Sequence, residues 1–403
     1  MLRWKRILLG VTGSIAAYKA ADLTSKLVKQ GAEVRVAMTK NAAQFVAPLT
    51  FQALSGKPVI TGLFNDEPDS GMSHIELPRR VDAIVLAPCT ANLIAKLAHG
   101  LADDWLSTAV LATNSPVIVC PAMNARMYTN RVVQENLKVL EGHGYFVAPT
   151  EEGDLACGEK GLGRLIEVER IIELIQYVLA DKDLKGLKIL VTAGPTREHL
   201  DPVRFFSNPS SGKMGFACAK AAARRGAEVV LVSGPSRLAD PVGVKTIRVT
   251  SAKEMAQACL SYYPDCDAVI KAAGVMDLTP ARTSGQKIRK ADLSLTMEFS
   301  LTPDILEDLG RQKAGQILVG FAAETTDLIA HAKEKMARKN LDIIVANDVS
   351  QAGAGFESDT NIVKILHRSG TIQELPLLPK DEVAEIILDR VLEIVRSRRQ
   401  ERK

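Results

Sequence analysis

Two observations predict an α/β protein made of two doubly wound domains. A matching strand–turn–helix–strand run opens each half of the chain, and the loops leaving those strands collect glycine and small polar residues. The first run is RILLGVTGSIAAYKAADLTSKLVKQGAEVRVAMT (6–39); the second lies within 187–235, from LKILVTAGP to RRGAEVVLVSGP. QGAEVRVAMT and RGAEVVLVSG hold the same place in successive units, which is shared architecture and no proof of duplication. At 403 residues the chain is long enough for two separate cores.

In the first half, residues 6–11 read as a strand, Gly13-Ser14 as a turn, and Ala16, Ala20, Leu23 and Leu27 as one face of a helix that stops before Gly31. Glu33 to Met38 is the next strand. Further strands fit 83–86, 117–119 and 145–147, with helices near 90–98, 104–112, 129–140 and 167–180. DKDLKG (181–186) reads as a polar linker, dividing the chain at 1–184 and 185–403. In the second half, 187–193 is a short buried strand ended by Gly194-Pro195. A long polar loop follows, then a helix with Phe216, Ala219 and Ala223 on one face, and a strand from Glu228 to Val232. Parallel strands joined this way cross over right-handedly. Strands at 246–250, 267–271, 316–325 and 342–348 complete the sheet, with helices at 251–262 and through Lys335 and Lys339.

Composition narrows the classes of function. Aromatic residues are only 4% of the chain, which disfavours a base-stacking nucleic-acid surface. The net charge of +4 equals what RSRRQERK (396–403) carries, five cations and one Glu, so the body is neutral and the tail reads as a solvated helix end. Six scattered cysteines show neither C-x-x-C nor Cys/His ligand spacing, against disulfides and structural zinc. The N-terminus imitates a signal peptide, but Thr12, Ser14, Tyr18, Lys19 and Asp22 interrupt its apolar run; the expectation is a cytoplasmic protein with no membrane span.

The candidate chemistry sits in loops. Gly13-Ser14-Ile15, Thr39 and Thr90-Ala91-Asn92 follow strands at their carboxyl ends, where such folds bind ligands; each alone also suits a helix cap. His74 lies in the polar stretch GMSHIELPRR with Arg79 nearby, either a surface histidine or part of a site with a cation for an anionic substrate. PAMNARMY (121–128) offers the Asn124 amide to a carboxylate, while Met123 and Met127 equally suit a core. EEGDLACGEKGLGR (151–164), rich in glycine, reads as a mobile flap with Cys157 near its middle. In the second half, the loop before the helix at 213 carries Arg204, Asn208, Ser210, Ser211 and Gly212 and suits an anion at a helix N-terminus. SGQKIRK (284–290) is either a loop that closes on phosphates or a solvated charge run.

GSIAAYK, APCTANLIAKLAHGLADD, SHIEL, PAMN and ACGEKGLGR together resemble the FMN-dependent cysteine decarboxylases of the phosphopantothenoylcysteine type. The resemblance implies a flavodoxin-like flavoprotein domain with FMN contacts at Gly13, Ser14, Ile15, Thr39, Thr90, Asn92 and Ala122. It also implies catalytic His74, substrate contacts at Arg79, Asn124 and Met127, and proton donation by Cys157. TAGPTRE, DPVRFFSNPSSGKMG, KAAGVMD, GFAAET, KNLD and VANDVS resemble, in order, the CTP-using bacterial phosphopantothenate-cysteine ligases, and the domain order is that of the bifunctional enzymes of coenzyme A synthesis. This implies a second Rossmann-like, nucleotide-binding domain. In it, Lys271, Ala272, Ala273, Asp277, Pro303, Asp304, Ile305, Leu306, Phe321, Lys335 and Lys339 meet CTP, Lys287 the triphosphate, and Arg204 and Asn208 the acyl intermediate. The chain departs from the family pattern at Tyr128, Pro209 and Arg289.

The implied chemistry is coherent. Direct loss of carbon dioxide from a cysteine carboxylate leaves an unstabilised carbanion; oxidising the thiol-bearing carbon first gives a thioaldehyde whose sulfur accepts the electron pair. A carboxylate is likewise a poor electrophile until transferred to a nucleotide phosphate, with Mg2+ or another divalent cation neutralising the triphosphate; the cation's ligands are not legible. The substrates implied are 4'-phosphopantothenate, L-cysteine, CTP and 4'-phosphopantothenoylcysteine, with no nucleic-acid or membrane partner. The implied assembly is a homo-oligomer, a dodecamer built from trimeric decarboxylase and dimeric ligase halves. A nicotinamide-dependent oxidoreductase lacks its G-x-G-x-x-G turn here, and a non-catalytic flavoprotein would not need His74, Cys157, Asn208 and Lys287 together.

Overall fold

The computed structural model describes residues 2–63, 73–154, 158, 160–289, 296–324, 327–348, 355 and 357–401. The chain divides into Met1–Ala180 and Asp181–Lys403.

The first unit is built on a five-stranded parallel sheet. Its order runs Glu33–Met38, Arg6–Val11, Ala83–Cys89, Val117–Pro121, Phe146–Val147, the doubly wound order 2-1-3-4-5 with its switch point between the first and third strands. Ile7, Leu8 and Leu9 have no exposed surface, so the first strand is apolar on both faces, as a central parallel strand with helices on both sides must be. The helix Ala17–Lys29 follows the first strand, burying Ala20, Leu23 and Leu27, which recur at helical spacing.

The second unit has an eight-stranded sheet. Val244–Arg248, Glu228–Ser233, Lys188–Ala193, Ala268–Lys271, Ile317–Glu324 and Ile343–Asp348 are parallel in the order 3-2-1-4-5-6, and Val363–His367 and Ile372–Glu374 extend them antiparallel. The helix Lys380–Glu401 packs against the helix Lys213–Arg224. Arg398, in the basic tail, is more than a solvated end: it bonds Asp342 at 2.6 Å, and Lys313 holds the same buried carboxylate at 2.7 Å. Among the described residues no helix is long and apolar enough to cross a membrane.

Several expectations need correction. The 181–186 segment is no free linker but a turn docked on the second unit, because Leu184 is wholly buried and Asp183 pairs with Arg225 at 2.7 Å. GMSHIELPRR is not an open polar stretch: Ser73–Arg80 forms a helix that accommodates Pro78. The long loop after Gly194 contains a hairpin, Arg197–His199 against Phe205–Ser207, whose Phe206 meets Phe299 edge to face at 5.2 Å. The glycine-rich 151–164 segment likewise carries two paired strands, Glu151–Asp154 and Lys160–Arg164. The strand expected at 246–250 occupies Val244–Arg248.

Candidate functional sites

In the first unit, the strand ends and following loops enclose a crevice of about 580 Å³ lined by Gly13, Ser14, Thr39, Thr90, Asn92, Ala122 and Met127 among others. The Thr12 hydroxyl ties its walls together, donating to Pro88 O at 2.8 Å and accepting from Thr90 N at 3.0 Å. Thr90 precedes the helix Ala91–Ala98 without its side chain capping it, which suits the N-terminal end of that helix to an anion, whereas the first amides of the helix Ala17–Lys29 are taken up by its own turn, Ala17 N donating to Ser14 O at 2.9 Å and Lys19 N to Ala16 O at 3.0 Å. A Cβ on Gly13 would lie 2.5 Å from Asn41 Cβ; only glycine lets the backbone pass there.

A second cavity of about 360 Å³ shares Ser14, Ala122 and Met123 with the first and adds Ile15, Asn124, Asp154 and Arg164. The hairpin forms one wall because Gly163, at φ 120°, sits where a Cβ would lie 2.4 Å from Met123 O. Met123 N in turn donates to Gly163 O at 2.9 Å. Asn124 caps the helix Ala125–Tyr128, accepting from Arg126 N at 2.8 Å. Neither His74 nor Arg79 lines either cavity. His74 is half-buried with its Nδ1 lacking a hydrogen-bond partner among the described residues, and Arg79 is exposed on the same helix. Cys157 lies outside the described residues. Cys120 is not a substitute, since burial pushes its thiol up to about 12.

In the second unit the expected nucleotide residues meet at the carboxyl ends of the central strands. Lys271 ends Ala268–Lys271 and donates to Ala273 O at 3.2 Å. Burial, with Lys335 and Lys339 nearby, lowers its ammonium to about 8, against the attraction of Asp304. Lys335 Nζ reaches Phe321 O at 2.9 Å, and Lys339 pairs with Asp304 at 2.6 Å. Three lysines around one carboxylate leave an excess of positive charge, which suits a polyanion. Ile305 and Leu306 are each 2% exposed and point into the core, so they offer a ligand backbone groups only. Asp277 and Pro303 stand exposed at the rim.

Asn208 is held against the loop that follows the strand Ala268–Lys271, its amide donating to Val275 O at 3.0 Å and Gly274 O at 3.4 Å. Behind it, Gly212 at φ 83° begins the helix Lys213–Arg224 without a side-chain cap. Lys287 is exposed in the 284–289 segment, which lies beside Leu200 and Asp201 through the bonds of Ser284 N and Ile288 N. Sequence reasoning missed the threonines that brace this edge: Thr192 Oγ1 accepts Ala273 N at 3.2 Å, and Thr196 Oγ1 accepts Met276 N at 3.0 Å. Their four-residue spacing in VTAGPT was the available signal, but their partners lie about eighty positions away. Among the described residues no group of three or more His, Cys, Asp or Glu is placed to hold a metal.

Glycines and hydroxyls at the strand ends, uncapped helix N-termini and a lysine cluster together define a two-unit α/β protein whose strand ends suit anionic ligands in each unit. Residues 1–180 match the family model described as "Flavoprotein", and residues 184–395 the "DNA/pantothenate metabolism flavoprotein C-terminal domain". The chain is 50% identical over 395 residues to the coenzyme A biosynthesis bifunctional protein CoaBC of Bacillus subtilis, covering 97% of each chain. It is 46% identical over 390 residues to the protein of that name from Vibrio cholerae, covering 96% of this chain and 98% of the other. A crystal structure of the C-terminal domain of a coenzyme A biosynthesis bifunctional protein CoaBC, 43% identical, covers 54% of this chain and all of that one, with a TM-score of 0.47. The chain belongs to the family of bifunctional coenzyme A biosynthesis proteins.

Proposed function

We propose that this protein performs two consecutive steps of coenzyme A synthesis. It couples 4'-phosphopantothenate to cysteine at the expense of CTP through an acyl-cytidylate, then decarboxylates the product to 4'-phosphopantetheine with FMN. Decarboxylation is assigned to 1–184 and ligation to 185–403. The observation that carries the reading is the end-to-end relation to bifunctional proteins, at 50% identity across 97% of both chains. The crevices supply the chemistry: one floored by glycine and hydroxyl side chains, the other ringed by Lys271, Lys335 and Lys339.

The first crevice fits FMN, since about 580 Å³ is within the usual range for cofactor sites, and the uncapped N-terminus of the helix Ala91–Ala98 together with Lys40 in the lining suits a phosphate. Gly13, Ser14, Ile15, Thr39, Thr90, Asn92 and Ala122 are assigned to it. FMN, when bound, supplies the oxidation of the thiol-bearing carbon. His74 handles the proton of that step, Asn124, Met127 and Arg79 hold the substrate, and Cys157 returns the proton after carbon dioxide leaves. In the second unit, Lys271, Ala272, Ala273, Asp277, Pro303, Asp304, Ile305, Leu306, Phe321, Lys335 and Lys339 hold CTP. Lys287 meets the triphosphate, where Mg2+ arriving with the nucleotide would neutralise further charge, and Arg204 and Asn208 meet the acyl-cytidylate.

The same reading includes a cytoplasmic setting and an oligomer, a dodecamer from trimeric first and dimeric second units. Two observations favour association. His74 and Arg79 line neither of the two cavities described in the first unit, as residues that complete a neighbour's site do. The second unit exposes an apolar group, Val203 57%, Phe205 42%, Phe299 39% and Leu301 82%, on its two small hairpins. The test is the absorption spectrum of purified protein with its nucleotide preference: a yellow protein that uses CTP is expected, and a colourless one that takes up no added FMN refutes the decarboxylase half.

A further inference from the structure

Asp201 is the most thoroughly engaged carboxylate near the second site, and the reactions assigned above do not use it. It sits in the turn of the hairpin that ends at Ser207, one residue before Asn208, and its side chain has no exposed surface. Oδ1 accepts the amides of Val203 and Arg204, each at 2.8 Å, which is all that an Asx-type turn requires. Oδ2 does something else. It accepts Ile288 N, 87 residues further along the chain, at 3.2 Å, and it faces Arg204 Nη1 at 3.5 Å. That nitrogen is buried and has no hydrogen-bond partner among the described residues. A second bond, Ser284 N to Leu200 O at 2.9 Å, reinforces the attachment of the same segment. Burial pushes the carboxyl upward, but the amides of Val203, Arg204 and Ile288 with the Arg204 charge more than reverse this, so the group stays ionised.

The two ties of Oδ2 lead to different ligands of one reaction. Ile288 follows Lys287, and Arg204 is assigned to the acyl intermediate. An anchor needed only for the turn would leave Oδ2 to solvent; this one is sealed between its own hairpin turn and the segment that carries Lys287.

We propose that Asp201 is a positioning residue for ligation: one buried carboxylate holds the Lys287 segment and the Arg204 guanidinium in a common frame, fixing the spacing at which triphosphate and acyl group are met. The inference rests on the assignment of Lys287 and Arg204 to those ligands. Asparagine at this position keeps an acceptor for the turn but presents an N–H to the Ile288 amide and no charge to Arg204.

The experiment is single-turnover ligation by the full chain with labelled CTP, comparing Asp201→Asn, Lys287→Gln and the double variant. Expected is a roughly 10- to 100-fold slower formation of acyl-cytidylate and pyrophosphate in Asp201→Asn, from loss of hydrogen bonds to a charged group. The KM for CTP rises and that for cysteine stays near the parent's, the flavin spectrum is unchanged, and the double variant is little slower than Lys287→Gln because the two act as a unit. Additive losses, an unchanged first step, or equal damage to decarboxylation and ligation overturn the proposal. If Lys287→Gln alone leaves pyrophosphate release intact, the underlying assignment fails instead. A further measurement needs no variant: the Ile288 amide of the unsubstituted protein is protected from hydrogen exchange, and exchange at the rate of an open loop overturns the positioning role even if Asp201→Asn does not fold.

Discussion

Replacing Lys271 with methionine should make the nucleotide-free second unit more stable while it damages the use of CTP. The native ammonium stands at the end of a central strand, with burial and two neighbouring lysines lowering it from 10.5 to about 8. At about 1.4 kcal/mol for each pH unit, that gap corresponds to about 3 kcal/mol of disfavoured charge. The bond to Ala273 O is lost in the variant, returning about 1 kcal/mol, so the expected net gain is about 2 kcal/mol, or about 4–8 °C in melting temperature. The sign follows from proton counting. The unfolded lysine keeps its proton up to about 10.5 and the folded one releases it near 8, so between these values the unfolded state binds more protons and native stability rises with pH. The variant's advantage is therefore full below about pH 8 and fades towards 10.5. Urea unfolding of the full chain, read by pulse-labelling mass spectrometry on peptides covering Ala268–Lys271, isolates this unit. A variant less stable than the parent near neutral pH, or an advantage equally large at high pH, would refute the reasoning. In the parent, affinity for CTP should weaken as pH rises through about 8, and this dependence should vanish in Lys271→Met.

Other outcomes follow from the same geometry. Gly13→Ala forces a Cβ to within 2.5 Å of Asn41 Cβ, and overpacking of about 1–3 kcal/mol should weaken FMN binding by roughly 5- to 150-fold in a fluorescence titration; unaltered affinity would show that this turn does not hold the flavin. His74→Asn should block flavin reduction by substrate, whereas Cys157→Ser should permit reduction and stall before product, because a hydroxyl is a much weaker acid than a thiol; stopped-flow absorbance separates the two, and parent-like turnover in both contradicts the roles. Lys287→Gln should lose pyrophosphate release, while Asn208→Asp should form acyl-cytidylate and fail to pass it to cysteine; accumulation of the intermediate in the former or its absence in the latter would reverse the order. Arg398→Ala removes one of the two ion pairs that Asp342 makes among the described residues, and should cost about 1–3 kcal/mol in the unfolding of the second unit with no change in flavin spectrum.

The sequence by itself determined what local chemistry can encode. Apolar runs such as RILLGV and EVVLVS must be buried strands, AADLTSKLVK must turn one face inward, and the glycine and threonine at strand ends mark crevices, because period and turn propensity act over a few residues. The hairpins at 197–207 and 151–164 read as loops in the sequence because a short polar strand such as Arg197–His199 or Glu151–Asp154 has no apolar period of its own and exists only through its partner. The helix Ser73–Arg80 is not legible in the polar stretch GMSHIELPRR, because Pro78 argues against one locally, while Trp105 Nε1 donating to Ser73 Oγ at 3.1 Å and burial of Pro78 favour one in context. The tertiary structure alone decided which charges meet. Lys271 and Lys335 are 64 positions apart and meet because the strand order 3-2-1-4-5-6 sets the strands before them side by side, while Asp201 and Ile288 are 87 apart and meet through the bonds of Ile288 N and Ser284 N to the hairpin turn. A lysine's charge is written in the sequence; the low pKa of Lys271, and the sealing of Asp201 between two loops, come from desolvation and neighbours that only the closed fold supplies.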